Sequence, residues 1–152
     1  MMEVLRLKKR YGCAFSFVNY TKAKMQMNTH AINWFEIPVS DFERAKKFYE
    51  NIFDYQMPEN TMGKARMGFL LYDFKNDGRG GAIVHYPELY TPSDNGTLVY
   101  LNCEPDLSIV LNKVEAAGGS IIQPKTLIGE NLGYFAMIKD SEGNRVALHS
   151  MK

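Results

Sequence analysis

Apolar side chains alternate with polar ones in one short stretch of the chain and then change to helical spacing. Phe35, Ile37 and Val39 fall on one side of a predicted strand. Trp34 and Glu36 fall on the other side. The residues after the strand recur at three- and four-residue steps, which predicts an amphipathic helix. They are Phe42, Ala45, Phe48, Tyr49, Ile52 and Phe53. The helix packs on the apolar side of the strand, so Trp34 and Glu36 face away from it.

The same pattern returns about 65 residues later. Asp41 precedes the first helix as an N-cap, and Asp106 precedes a second helical stripe that stops before Gly118. The alternating strand before the second helix is predicted at Thr97–Cys103. Three further strand-like stretches follow each helix. Those of the first half are Tyr55–Met57, Ala65–Phe74 and Gly81–Tyr86, and those of the second half are Ser120–Ile128, Gly133–Lys139 and Arg145–Met151.

This internal repeat predicts an α+β fold built from two βαβββ modules. The first module spans residues 31–89, a linker of turn-forming residues spans 90–95, and the second module spans 96–151. One module alone would leave a face of its sheet bare, so we expect the two curled mixed sheets to combine into a cup. Residues 1–28 lack the pattern. We interpret them as an extension, disordered or the product of a start assigned too early, ahead of a single domain at 29–152.

The chain resembles the vicinal oxygen chelate superfamily, which includes glyoxalase I, the bleomycin-resistance proteins and the extradiol dioxygenases. The resemblance rests on the runs IPVSD and RAKKFY and, further on, EAAGG and KDSEGN. It implies the cup-shaped fold. It also implies metal ligands on the first and last strands of each module. The repeat puts those positions at Trp34, Ile83, Leu98 and Ala147. None of these side chains can ligate a divalent cation, so we expect no cofactor.

On the same four strands, the residue two positions further along, which is predicted to face the same way, is polar in each case. These residues are Glu36, His85, Tyr100 and His149. Two histidines and a carboxylate match the composition of a facial-triad metal site, which is the alternative with a divalent metal ion. In a second interpretation these four side chains are polar groups that line a solvent-filled cavity. In a third, His85 or His149 acts as a general acid or base that Glu36 orients.

Trp34 has two interpretations of its own. It fills space as a core aromatic, or it forms a flat hydrophobic wall for a planar ligand. The side chains that would complete such a pocket are Tyr100, Tyr134, Phe69, Met62 and Met67. The full predicted ligand-binding set is Trp34, Glu36, His85, Leu98, Tyr100, Ala147 and His149.

Composition excludes several classes of partner. The 152 residues are 45% hydrophobic and 23% charged, with a formal net charge of +1, as in ordinary globular proteins. Dispersed lysines and arginines argue against nucleic-acid binding, and no apolar run reaches the ~20 residues of a membrane helix. Two cysteines, Cys13 and Cys103, do not make a disulfide framework, so we expect a reducing, cytoplasmic location. We also expect a homodimer with a small-molecule ligand.

Three functional hypotheses follow. The first is a metal-independent protein that binds a small, planar or partly apolar molecule in its cup. The second is a metal-dependent lyase or dioxygenase of the glyoxalase type that uses Glu36, His85 and His149. The third is a non-catalytic subunit that binds a protein partner. Whether the chain is an enzyme stays open at this point.

Overall fold

The computed structural model describes residues 30–152, so the predicted extension at 1–28 lies outside the described residues. Within the described part, eight strands and two helices follow the order predicted from the repeat. They are β1 (Trp34–Pro38), α1 (Phe42–Phe53), β2 (Glu59–Met62), β3 (Ala65–Phe69), β4 (Gly80–His85), β5 (Tyr100–Asn102), α2 (Leu107–Leu111), β6 (Ser120–Gly129), β7 (Gly133–Lys139) and β8 (Arg145–Ser150). No helix in this part of the chain is long and apolar enough to cross a membrane.

The strands form two four-stranded mixed sheets, ordered β1-β4-β3-β2 and β5-β8-β7-β6. In each sheet the first strand of the module pairs in parallel with the last strand, and the remaining pairs are antiparallel. Each helix lies in the long connection that such a parallel pair requires, followed by the two middle strands of the module. The α+β fold of two βαβββ modules predicted from the sequence is confirmed.

Both helices begin at the aspartates that the repeat predicts. Asp41 accepts a hydrogen bond from the backbone N–H of Arg44 at 3.0 Å, and Asp106 accepts one from Ser108 at 2.8 Å. The first helix then runs for 12 residues, whereas the second has 5 residues before the chain continues in turns to Gly118. The repeat-related helices therefore start alike and end differently.

One hydrophobic core lies on the helix side of both sheets, which we call the outer face. It joins the buried stripe of α1 to Ile37 and Ile83 of the first sheet and to Leu101 and Leu148 of the second. Cys103 belongs to this core and is 4% exposed. The opposite side of each sheet, which faces away from the helices, is the inner face.

The predicted register of the last strands is wrong by one residue. Glu36 pairs with Ala82, and Tyr100 pairs with Ala147, so Ala82 and Ala147 are the equivalent positions. The prediction paired Ile83 with Ala147. The second module has one extra residue between its first strand and its helix, so the helix caps and the last strands are related by a shift of 65 residues rather than 64. A slip of one residue moves each side chain to the other face of a strand.

The second strand was also misplaced. It was predicted at Tyr55–Met57 but lies at Glu59–Met62, and all four of its residues are exposed. Met57 is buried at 4% exposure as a single core residue, and its N–H donates to Glu50 at 2.8 Å. A fully exposed strand carries no alternating apolar pattern, so its position could not be predicted from periodicity. The following strand ends at Phe69, earlier than predicted.

Candidate functional site

Trp34 and Glu36 project from the inner face of the first sheet, as predicted. The ring of Trp34 meets Phe69 edge to face, with ring centroids 6.1 Å apart, and meets Tyr72 in the same way at 6.0 Å. A small buried cluster of Met67, Ala82 and Val84 forms the floor below these rings. The aromatic side chains stay half-buried, so the inner face of this sheet presents ring surface to solvent.

A glycine makes this arrangement possible. Gly80 is the register partner of Trp34 on the neighbouring strand, and a Cβ atom there would overlap the ring of Tyr72. Tyr72 lies over the bare backbone of Gly80 and so reaches the side of Trp34. Any larger residue at position 80 would displace Tyr72 from the face.

Glu36 lies at the other end of the same face. The neighbouring Glu36 carboxylate raises the pKa of Tyr90 through hydrogen bonding and its charge. Tyr90 also meets Tyr86 edge to face at 6.3 Å. We call the surface formed by these side chains the aromatic face. Its members are Trp34, Glu36, Phe69, Tyr72, Tyr86 and Tyr90.

Sequence reasoning missed three tyrosines of the aromatic face. Tyr72 follows the third strand, and Tyr86 and Tyr90 follow the fourth, where the pattern predicts strand ends and a linker. Segments without periodicity give no signal for the face on which a side chain lies. The available hint was the pair of glycines at 80 and 81, because glycine inside a strand marks the close approach of another group.

The inner face of the second sheet carries Tyr100, Ala147 and His149. Tyr100 is 52% exposed, whereas Ala147 is fully buried. The Nε2 atom of His149 lies 2.8 Å from the backbone oxygen of Leu132, which orients the ring toward the turn between β6 and β7. Leu98 is half-buried just before the first strand of this module.

His85 does not join these residues. Its register partner on β3 is Arg66. His85 lies two residues after Ile83 on β4, so its side chain shares the outer face with that of Ile83. Its Nδ1 atom is 3.1 Å from the backbone oxygen of Val39. The predicted group of Glu36, His85 and His149 is therefore split between opposite faces. Tyr134, predicted to line the pocket, also packs on the outer core, with the Lys125 ammonium 4.7 Å from its ring centre.

Comparison with known proteins identifies the family. The model of the Glyoxalase/Bleomycin resistance protein/Dioxygenase superfamily matches residues 31–148. The chain belongs to this superfamily.

Individual relatives agree with this assignment. A glyoxylase-like domain-containing protein from Didymella fabae is 28% identical over 123 residues, which cover 77% of this chain and 91% of that protein. A hypothetical protein from S. aureus is 19% identical, with a TM-score of 0.58 over 81% of this chain and 95% of that one. A glyoxalase/bleomycin resistance protein from Albidiferax ferrireducens is 14% identical, with a TM-score of 0.59 over 78% and 97%. At these identities the two structures establish the shared fold and not a shared reaction.

The residues of this superfamily member do not fit a divalent metal ion at the positions that the family resemblance implies. With the register corrected, the four inner positions hold Trp34, Ala82, Leu98 and Ala147. Indole and alkyl groups offer no oxygen, nitrogen or sulfur donor to a cation. In the described residues, no three His, Cys, Asp or Glu side chains come close enough together to hold a metal ion.

Proposed function

We propose that this superfamily member binds a small planar aromatic molecule on its aromatic face, without a metal ion. The observation that carries the proposal is the setting of Trp34. Its ring is held edge-on by Phe69 and Tyr72 at the position where the family resemblance implies a metal ligand. Fixed rings of this kind offer large contact area at little cost in side-chain entropy.

Glu36 adds a polar group to this apolar surface. A carboxylate accepts hydrogen bonds through several lone pairs, so Glu36 can accept one from a ligand beside Tyr90. The preferred ligand therefore combines a planar ring system with a hydrogen-bond donor, such as an amino group, at its edge. The ring lies against Trp34, and the donor reaches Glu36. A few placed polar groups in a largely apolar site are the usual source of orientation and specificity.

The experiment is calorimetric titration with two planar probes of matched shape, 2-aminoquinoline and 2-methylquinoline. Both should bind, and the amino compound should bind more tightly because only it donates to Glu36. Trp34→Ala should weaken both by at least about tenfold, or 1.4 kcal/mol. Trp34→Phe, which keeps a ring, should lose less. Glu36→Gln should weaken the amino compound alone, by about fivefold.

His85→Ala serves as the control, because this side chain lies on the outer face of the same strand that contributes Ala82. It should bind both probes as the wild type does. The proposal fails if neither probe binds, or if Trp34→Ala binds both with wild-type affinity.

A further inference from the structure

A cavity of about 410 Å³ lies between the two modules on the outer side of the sheets. Its floor is apolar and comes from both modules: Phe35, Phe53 and Leu70 from the first, Leu101 and Val110 from the second. This volume is within the range of sites that hold small ligands. The aromatic face lies on the opposite side of the first sheet, so the cavity is a separate place in the fold.

The internal repeat explains why this space is open. Phe48 of the first helix is fully buried and packs on Gly119, which follows the turns after the second helix. At a shift of 65 residues, the position equivalent to Phe48 is Lys113, in the turns that follow the second helix, and the position equivalent to Gly119 is Asp54. Lys113 and Asp54 form an ion pair at the edge of the cavity. An aromatic ring thus fills one junction between the modules, whereas a solvated ion pair borders the other.

The edge of the cavity carries one guanidinium with donors to spare. Arg79 uses a single nitrogen, Nη1, for its contacts with Asp77, at 2.7 Å to the carboxylate and 3.3 Å to the backbone oxygen. Among residues 30–152, its Nε and Nη2 atoms make no hydrogen bond. The guanidinium fork is suited to a carboxylate, which it binds through two parallel hydrogen bonds.

The acidic side chains at the same edge already have partners. Asp54 is paired with Lys113, and Asp106 with Lys125 at 2.8 Å. The carboxylate of Glu104 accepts a hydrogen bond from the backbone N–H of Met151 at 2.8 Å. Arg79 is therefore the group at this edge that is best placed to recruit an anion.

We infer that the cavity binds a small amphipathic carboxylate, with its apolar chain on the floor and its carboxylate on Arg79. The same chemistry occurs within the protein at the junction that Phe48 fills. There, Arg44 holds the carboxylate of Glu142 through Nε at 2.7 Å and Nη2 at 2.9 Å, at the junction related to the cavity by the repeat. At the cavity the carboxylate comes from a ligand.

The test is calorimetric titration of the full chain with octanoate and with octan-1-ol, which has the same chain and no charge. Octanoate should bind with a Kd of about 1 mM or tighter. Arg79→Gln should weaken octanoate by about tenfold or more and leave octan-1-ol unchanged. Lys64→Gln, which removes an exposed cation paired with Glu88 away from the cavity, should have no effect.

A second variant tests the cavity itself. Ile109 lines the cavity and is 52% exposed, so Ile109→Trp should fill the space without disturbing the core and should abolish binding of both compounds. Trp34→Phe should leave octanoate binding intact, which separates this site from the aromatic face. The inference is overturned if octanoate does not bind, if Ile109→Trp leaves binding intact, or if Arg79→Gln affects both compounds equally or neither.

Discussion

The two junctions between the modules occupy equivalent places in the internal repeat but are built differently. At the first junction, the turn between β7 and β8 meets the start of α1. Tyr49 donates its hydroxyl proton to the buried carboxylate of Asp140 at 2.9 Å, and Glu142 accepts five hydrogen bonds from Ser40, Asp41 and Arg44 of the first module. At the second junction, the turn between β3 and β4 meets the start of α2 across the 410 Å³ cavity.

The difference comes from a few substitutions at equivalent positions. Tyr49 of the first helix corresponds to Val114, in the turns that follow the second helix, and Asp140 corresponds to Lys75. Valine and lysine cannot form the buried hydrogen bond that the tyrosine and aspartate form. The repeat thus determines where the two junctions lie, and the side chains at those positions determine which one is filled and which one contains a cavity.

The largest expected effect follows from removal of Asp140, which is 4% exposed. Asp140→Ala would leave the Tyr49 hydroxyl and the Asn144 amide without their acceptor in a buried setting. We expect a loss of about 3 kcal/mol or more in the free energy of unfolding, measured with urea. The matched variant is Lys75→Ala at the equivalent exposed position, and its stability should equal that of the wild type. Similar stability for both variants would contradict the asymmetry.

A smaller effect is expected at Glu142, whose side chain is fully buried. Glu142→Gln keeps the shape but removes the charge that Arg44 binds, and it should cost about 2 kcal/mol. Asp77→Asn, at the equivalent position of the second junction, should not change stability measurably because Asp77 is 63% exposed. A large loss for Asp77→Asn would show that the second junction is also held by its turn.

The loss of stability caused by Glu142→Gln should depend on pH in a defined direction. Burial alone would raise the pKa of Glu142, but hydrogen bonds from Arg44, Ser40 and the Asp41 N–H outweigh it and lower the pKa from 4.5 to about 2. The folded state therefore favours the carboxylate. Its contribution is complete above the ordinary pKa and disappears as the pH falls from about 5 to 2. The stability difference between wild type and Glu142→Gln should shrink over this window. Burial of Asp140 raises the pKa of that carboxyl, so its own contribution has the opposite sign.

A still smaller effect is expected when the first junction is copied into the second. Lys113→Phe places at the cavity the residue that fills the equivalent space at the first junction. Filling a cavity of this kind should stabilise the fold by about 1 kcal/mol, since the lost ion pair with Asp54 lies at the surface. The variant should also lose octanoate binding. Unchanged stability together with intact octanoate binding would mean that the residue at position 113 does not determine whether the cavity is open.

Most of the fold could be predicted from the sequence because the two modules repeat their caps and their apolar stripes. Asp41 and Asp106 are found where the pattern predicts them. The positions that failed carry no such signal. The second strand is fully exposed, and the last strands were paired at a shift of 64 residues although the extra residue before α2 makes that shift 65. That single residue put His85 on the wrong face.

The candidate site was predictable only in part. Trp34 and Glu36 lie on the inner face because strict alternation fixes their side of the strand. The tyrosines around them come from loops that fold back over the sheet, and loop geometry depends on tertiary contacts rather than on periodicity. The cavity depends on Lys113, which as a single residue in a sequence looks like any exposed lysine on a helix.

The measurement that tests the central claim most directly is metal titration of chelator-treated protein. Zn²⁺, Ni²⁺, Mn²⁺ and Fe²⁺ should bind no better than they bind scattered surface histidines, because Trp34, Ala82, Leu98 and Ala147 occupy the implied ligand positions and offer no donor. The planar probes should bind the same protein in the presence of a chelator. One metal ion per chain at micromolar affinity, about −8 kcal/mol, would contradict the account. Loss of that metal in either His149→Ala or Glu36→Gln would place it at the inner face.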